Sequence, residues 1–352
     1  MSDQKPCLAD LSLEALQDWL KSHQQPAFRA KQIHDWLHKK CATSFAEMGN
    51  LPQVLRQQLE QEFLACALAP LDTLRSDDGT TKWLSQLADG NAVETVLIPA
   101  KDRITLCLST QVGCAVRCAF CASGKHGLVR NLTPGEIVDQ VRLANHESGT
   151  PATNLVIMGI GEPLHNRENL VAALNLICSP DGLGLGARHI TISTSGIVPE
   201  MRLLADEAMP WNLAISLHAV NDAQRARIIP PQHRYPIREI LAAARYYREK
   251  TNRMFTIEYA LVKGLNSSPD DAASLAALAR ENRAKVNLIP CNNQEEPFLP
   301  PPVPACRAFL DILTKAGVQA SLRLRRGDAI KAACGQLRAT ERVNTCPTVT
   351  DK

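Results

Sequence analysis

Within GCAVRCAFCASGKHG, residues 113 to 127, stand Cys114, Cys118 and Cys121, spaced C-x3-C-x2-C, with Phe120 directly before the last. Three thiols this close in sequence point to a shared metal centre. A tetrahedral zinc has four positions to fill, and structural zinc sites usually draw them from two C-x2-4-C knuckles. No second knuckle is present, so zinc would need Cys107 or a distant Cys or His. An iron–sulfur cubane also takes four cysteines as a rule. With only three, one iron stays open to bind something else, which would explain the number. Three buried structural thiols are the bland alternative, a weak one at this spacing.

The background is that of an ordinary soluble protein. The chain has 352 residues, 45% hydrophobic and 21% charged, enough for a large core and more than one domain. No apolar run approaches the roughly 18 residues that span a bilayer. The polar start, MSDQKPCLADLS, lacks the apolar region of a secretory signal. Twelve cysteines, spread along the chain and concentrated once, suit a reducing cytoplasmic setting in which thiols serve metal and chemistry. A net charge of +3 permits a nucleic-acid partner without requiring one, and 4% aromatics argue against a stacking surface.

Three patterns succeed one another along the chain. Residues 9 to 66 read as helices: LSLEALQDWLKSH sets Leu13, Leu16 and Leu20 on one stripe after Ser12, a good N-cap, and FRAKQIHDWLHKK and LPQVLRQQLEQEFLACAL follow. Basic residues Arg29, Lys31, Lys39 and Lys40 mark the ends of this module. Next, alternating runs around Asp78-Gly79 and Asp89-Gly90 read as a short antiparallel meander. From about residue 105, β-rich runs alternate with helical ones in about six units, the pattern of a parallel sheet, open or closed into a barrel. The expected domains are a helical accessory domain at 1–68, a β extension at 69–104, a core at 105–338 and a tail at 339–352.

In such sheets ligands sit at the carboxyl ends of the strands. Here those ends read GIGEPL, STSG, SLH, NLIPCN and RGD. Gly, Ser and Asn fill any loop, but five such loops on one face favour a site.

The cysteine spacing with its aromatic resembles the motif of the radical S-adenosylmethionine (SAM) superfamily. The wider text resembles the RlmN/Cfr adenosine methyltransferases, and the RlmN type in particular. The matching stretches are VETVLIP, LCLSTQVGCAVRCAFCASGKHGLVRNLT, MGIGEPL, TISTSG, AISLHA, IEYALV, VNLIPCN and RRGDAIKAACGQL, with AFRAKQIHDWLHKK resembling the family's leader domain. The resemblance implies an α/β fold, a partial (βα)6 barrel with a small N-terminal helical domain and a short antiparallel β extension. It implies a [4Fe-4S] cluster on Cys114, Cys118 and Cys121, whose open iron takes SAM. It further implies methylation of carbon 2 of an adenosine in 23S rRNA and in tRNA, with a flavodoxin or ferredoxin as electron donor, no membrane partner and a monomer. A C8-directed Cfr-like enzyme, or a zinc-stabilised RNA-binding protein without catalysis, are the alternatives.

The remaining roles follow from the resemblance alone. Cys334 in AACGQL is similar to the cysteine that carries a methyl group from one SAM. Cys107 is similar to the resolving cysteine, with a disulfide to Cys334 implied when the enzyme is idle. Glu94 in VETV matches the proton acceptor. Gly161, Glu162, Ser193, Ser216, Leu217, His218 and Asn292 match the SAM contacts. Without the resemblance, Cys334 and Cys107 read as packed thiols, Glu94 as an outward strand residue and His218 as a core histidine. Lys125, Arg130, Arg323, Arg325 and Arg326 read equally as phosphate contacts or as a solvated basic face. Cys291, where the family often has an aromatic, and Ala122–Gly124 depart from the usual text, and the segment before MGIGEPL is short.

Overall fold

The computed structural model describes residues 5–230, 234–292, 296–323 and 327–337. Twelve strands are formed: β1 (Leu68–Arg75), β2 (Thr81–Leu87), β3 (Ala92–Ala100), β4 (Arg103–Cys107), β5 (Gln111–Gly113), β6 (Leu128–Asn131), β7 (Asn154–Ile157), β8 (Ile190–Thr194), β9 (Asn212–Ser216), β10 (Thr256–Leu261), β11 (Lys285–Pro290) and β12 (Ala320–Leu322). Ten helices accompany them: α1 (Leu13–Ser22), α2 (Arg29–His38), α3 (Gln53–Glu62), α4 (Pro134–Ser148), α5 (Arg167–Cys178), α6 (Val198–Asp206), α7 (Asp222–Ala226), α8 (Ile237–Thr251), α9 (Pro269–Glu281) and α10 (Val303–Lys315).

Ten strands form one sheet in the order β1-β2-β3-β4-β7-β8-β9-β10-β11-β12, while β5 and β6 pair separately. The pairings from β1 to β4 are antiparallel, and every one from β4 to β12 is parallel. The meander is therefore an edge of the main sheet. β4 belongs to both parts, so the expected division at 104 to 105 falls inside a strand. Both predicted turns are present, with Gly79 (φ 80°) and Gly90 (φ 83°) in the left-handed conformation glycine tolerates. The sheet curls until Ile98 of β3, Cys107 of β4 and Leu322 of β12 face one cavity.

The apolar runs of the parallel strands and the helices between them make the main core, where Trp211, Tyr247, Tyr259 and Phe255 are fully buried. A second core holds the helical module, around Leu20, Ile33, Met48, Leu55 and Leu59. Ser12 caps α1 by accepting from Ala15 N at 3.1 Å. α3 stops at Glu62, earlier than its apolar run suggests, because Leu64 pairs with Cys7 as an isolated parallel bridge.

The module is fastened along α4. Its Asp10 accepts from Gly135 N at 2.6 Å and Thr133 Oγ1 at 3.2 Å, at the start of that helix. In mid-helix, fully buried Arg142 pairs with Asp139 and donates to the carbonyls of Leu37 (2.8 Å), Ala42 and Ala65 (3.0 Å). Asp139 in turn accepts from Ala67 N and the Cys7 thiol.

Candidate active site

The loop from β5 to β6 carries the three cysteines. Cys114 N donates to Gly127 O at 2.9 Å, Cys121 N to Cys118 O at 3.0 Å, and Ala119 N to Ile228 O at 2.9 Å. Val116, Ile228 and Ile229 form a small apolar floor beneath Cys114, Cys118 and Phe120. All three thiols line one cavity of about 170 Å³. Burial pushes the Cys114 thiol up to about 12 and Cys118 well above its ordinary value. Among the described residues no three Cys, His, Asp or Glu are placed to grip a single metal ion.

The other walls of that cavity are strand ends, with Gly161, Glu162, Ser193, Ser216, His218 and Asn292 among its lining. Gly159 and Gly161 let the loop after β7 pass against residues 108–111. A Cβ at 159 would meet Leu108 O at 2.6 Å, and one at 161 the Gln111 side chain at 2.7 Å. Glu162 accepts from Leu164 N (3.1 Å), Thr194 Oγ1 (2.7 Å) and Ser195 N (2.8 Å), which fixes both of its oxygens. Ser193 and Ser216 are 3.3 Å apart, hydroxyl to hydroxyl. His218 accepts at Nδ1 from Ala260 N at 3.0 Å, so its proton is on Nε2, and its ring meets Phe120 edge to face. Burial, helped by Arg225, depresses His218 to about 3 and keeps it neutral. Leu217 is buried, its carbonyl accepting from Arg225.

Cys334 follows β12 in a tethered turn. Asn292 Nδ2 donates to Cys334 O at 2.9 Å, Ala122 N to Gly335 O at 2.8 Å, Ser123 Oγ to Leu337 O at 3.1 Å, and Gly327 N to Asp78 Oδ2 at 3.0 Å. The Cys334 side chain is exposed into the first cavity and also into a second one of about 340 Å³. Cys107 lines the second cavity. Burial raises Cys107 to about 12, with Cys334 adding to the rise and Arg323 opposing it. Both thiols are free, so the expected disulfide is absent from this structure.

Glu94 lies on the inner face of β3, the same face as Ala92 and Val96, which pack with Cys107, Ile160 and Ala332. It is 1% exposed, so the outward position suggested by alternation is wrong: β3 is covered on both faces. Its carboxylate pairs with Lys82 Nζ at 3.1 Å and lines neither cavity.

The basic residues separate. Arg130 is engaged by Asp89 and Glu136, which ties the β2–β3 turn to α4. Arg323 turns inward to the second cavity, its guanidinium 4.0 Å from Met158 Sδ. Lys125 is exposed, while Arg325, Arg326 of the RGD loop and the tail from 339 lie outside the described residues. Sequence reasoning missed Arg225, which donates to the carbonyls of Ser195, Leu217 (3.3 Å) and Tyr235 (3.2 Å) beneath the cavity. Its stretch reads only as a loop before Pro230. Lys82 and Glu258, a buried carboxylate on the cavity wall, were missed too.

Comparison with known proteins adds the family. The radical SAM superfamily model matches residues 108–276, and that of the ribosomal RNA large subunit methyltransferase N-terminal domain matches residues 7–64. The chain is 46% identical over 348 residues to the dual-specificity RNA methyltransferase RlmN of Anaeromyxobacter dehalogenans, covering 96% of this chain and 93% of that one. The chain belongs to the RlmN family. A second RlmN, from Anaeromyxobacter sp., is 44% identical, with 95% and 91% covered. The crystal structure of a radical SAM methyltransferase from Sphaerobacter thermophilus superposes with a TM-score of 0.91 at 44% identity, covering 95% of this chain and 99% of that one. Family membership makes this chain a radical SAM methyltransferase, with a [4Fe-4S] cluster and SAM as cofactors.

The cavity suits those groups. Three thiols share its wall, and two buried polar atoms on it, Ser195 Oγ and Asn292 Oδ1, have no partner among the described residues. Unpaired buried polar atoms are costly and mark places where a polar ligand binds. Among the described residues no helix is long and apolar enough to cross a membrane.

Proposed function

We propose that this protein methylates carbon 2 of an adenosine in 23S rRNA and in tRNA, using two SAM molecules and a methyl group carried on Cys334. The observation that carries the reading is the place of Cys334, on the wall shared by the cavity of the three cysteines and the cavity of Cys107.

Cys114, Cys118 and Cys121 would hold the cluster, which when reduced supplies the electron that cleaves SAM to a 5′-deoxyadenosyl radical. Glu162 would take the SAM amino group, and Gly161, Ser193, Ser216, His218 and Asn292, with Leu217 buried behind them, would shape the rest of its seat. The thiol of Cys334 takes a methyl group from one SAM, loses its proton, and presents the methyl to a radical formed from the other. Small neighbours, Ala332, Ala333 and Gly335, leave it accessible. Cys107 releases the protein–RNA link, and Glu94 receives the ring proton. Exposed Lys125 and the basic ends of the helical module suit phosphate contacts.

The test is nucleoside mass spectrometry on RNA from a strain lacking the protein. Loss of 2-methyladenosine from both rRNA and tRNA, restored by the native chain but not by Cys334→Ala, is expected. Loss of 8-methyladenosine instead would overturn the carbon-2 assignment.

A further inference from the structure

A lysine buried inside a sheet is rare, because its ammonium must leave water. Lys82 on β2 is 3% exposed. In register it faces Val96 across the strands, while Leu84 faces Glu94, so Lys82 reaches Glu94 diagonally. Its Nζ lies 3.1 Å from Glu94 Oε1 and donates to Lys331 O at 3.0 Å. Lys331 is three residues before Cys334. One ammonium thus touches the carboxylate on the fixed sheet and the backbone of the turn that carries the thiol. Leu84, Ala92, Val96, Ala332 and Leu337 form an apolar cluster beside the pair, which limits screening by water.

We propose that Lys82 is a positioning residue for the methyl transfer: it holds the Glu94 carboxylate in place and pins the Cys334 turn against it. The proposal rests on Glu94 being the proton acceptor. Taking one cation away from a buried carboxylate favours its reorientation or uptake of a proton. Removing Lys82 therefore impairs the step in which Glu94 receives the proton, while leaving the cluster loop and the SAM seat untouched.

The test compares native protein with Lys82→Met, Lys82→Arg and Glu94→Gln, all reconstituted anaerobically. Cluster content is read by visible absorption, methyl loading of Cys334 by peptide mass spectrometry after SAM and reductant without RNA, and the protein–RNA adduct on denaturing gels. For Lys82→Met, cluster content is expected within about twofold of native, methyl loading is expected to fall by less than RNA turnover, and RNA turnover to fall by on the order of tenfold or more with adduct accumulating. Lys82→Arg restores most of the turnover. The proposal is overturned if Lys82→Met turns over RNA at the native rate. It is equally overturned if cluster, loading and turnover fall together and arginine restores none of them, since that is a structural role. Should the methionine variant fail to fold, Lys82→Gln takes the same assays with the same two readings. A fully active Glu94→Gln would instead remove the role given to Glu94, a separate failure visible in its own lane.

Discussion

At the scale of single residues, Glu162, proposed to take part in the SAM seat, is held firmly by its own surroundings. Its two oxygens serve two backbone N–H groups and one hydroxyl. A glutamine there offers one oxygen and one N–H2, so one backbone donor must face another donor. Glu162→Gln is expected to cost about 1–3 kcal/mol of stability and to weaken SAM binding by about tenfold or more. Thermal melting and equilibrium dialysis check both; unchanged SAM affinity would show that the carboxylate serves only the loop. Cys334, by contrast, is not legible without the family motif: a cysteine between small residues has no local pattern to separate it from a packed thiol. Glu94 was misjudged on a firmer rule, alternation, because β3 is a strand with two buried faces and period two no longer tells core from solvent.

The elements explain why the helical module and the core act as one body. Arg142 and Asp139, one turn apart on α4, are both fully buried, and between them they satisfy main-chain groups from Leu37 to Ala67. Arg142→Met strips three carbonyls of their donor and leaves Asp139 as a lone buried charge. A loss of about 3–5 kcal/mol is expected, measured by denaturant unfolding of the purified protein. Limited proteolysis would show the first cuts near residue 67, where the module leaves α4; resistance equal to native would contradict this. Sequence periodicity gave the three helices, the two glycine turns and the β–α alternation. It could not reveal that β4 joins antiparallel and parallel halves, since its five residues read alike in either role. Nor could it reveal Arg142, because buried arginines look like surface ones until their carbonyl partners are known.

For the molecule as a whole, the same fastening bears on how RNA is met. The module presents Lys31, Lys39 and Lys40 at a fixed position relative to the cavities, since Asp10 caps α4 at one end and Arg142 grips its middle. A chain beginning at residue 67 loses the cap and exposes the grip. It is expected to give little soluble protein and to melt on the order of 10 °C or more below the full chain, which expression and calorimetry would measure. A soluble, cluster-loaded fragment would refute the single-body description. The thiol turn has its own lesson. Its tethers reach Lys82, Ser123 and Asn292, at separations of 249, 214 and 42 residues along the chain. Synthesis proceeds from the N-terminus, so every anchor is made before the segment it will hold. The nascent chain therefore carries its three clustered cysteines, and the surfaces that will anchor the turn, before the cysteine proposed to carry the methyl group has been made.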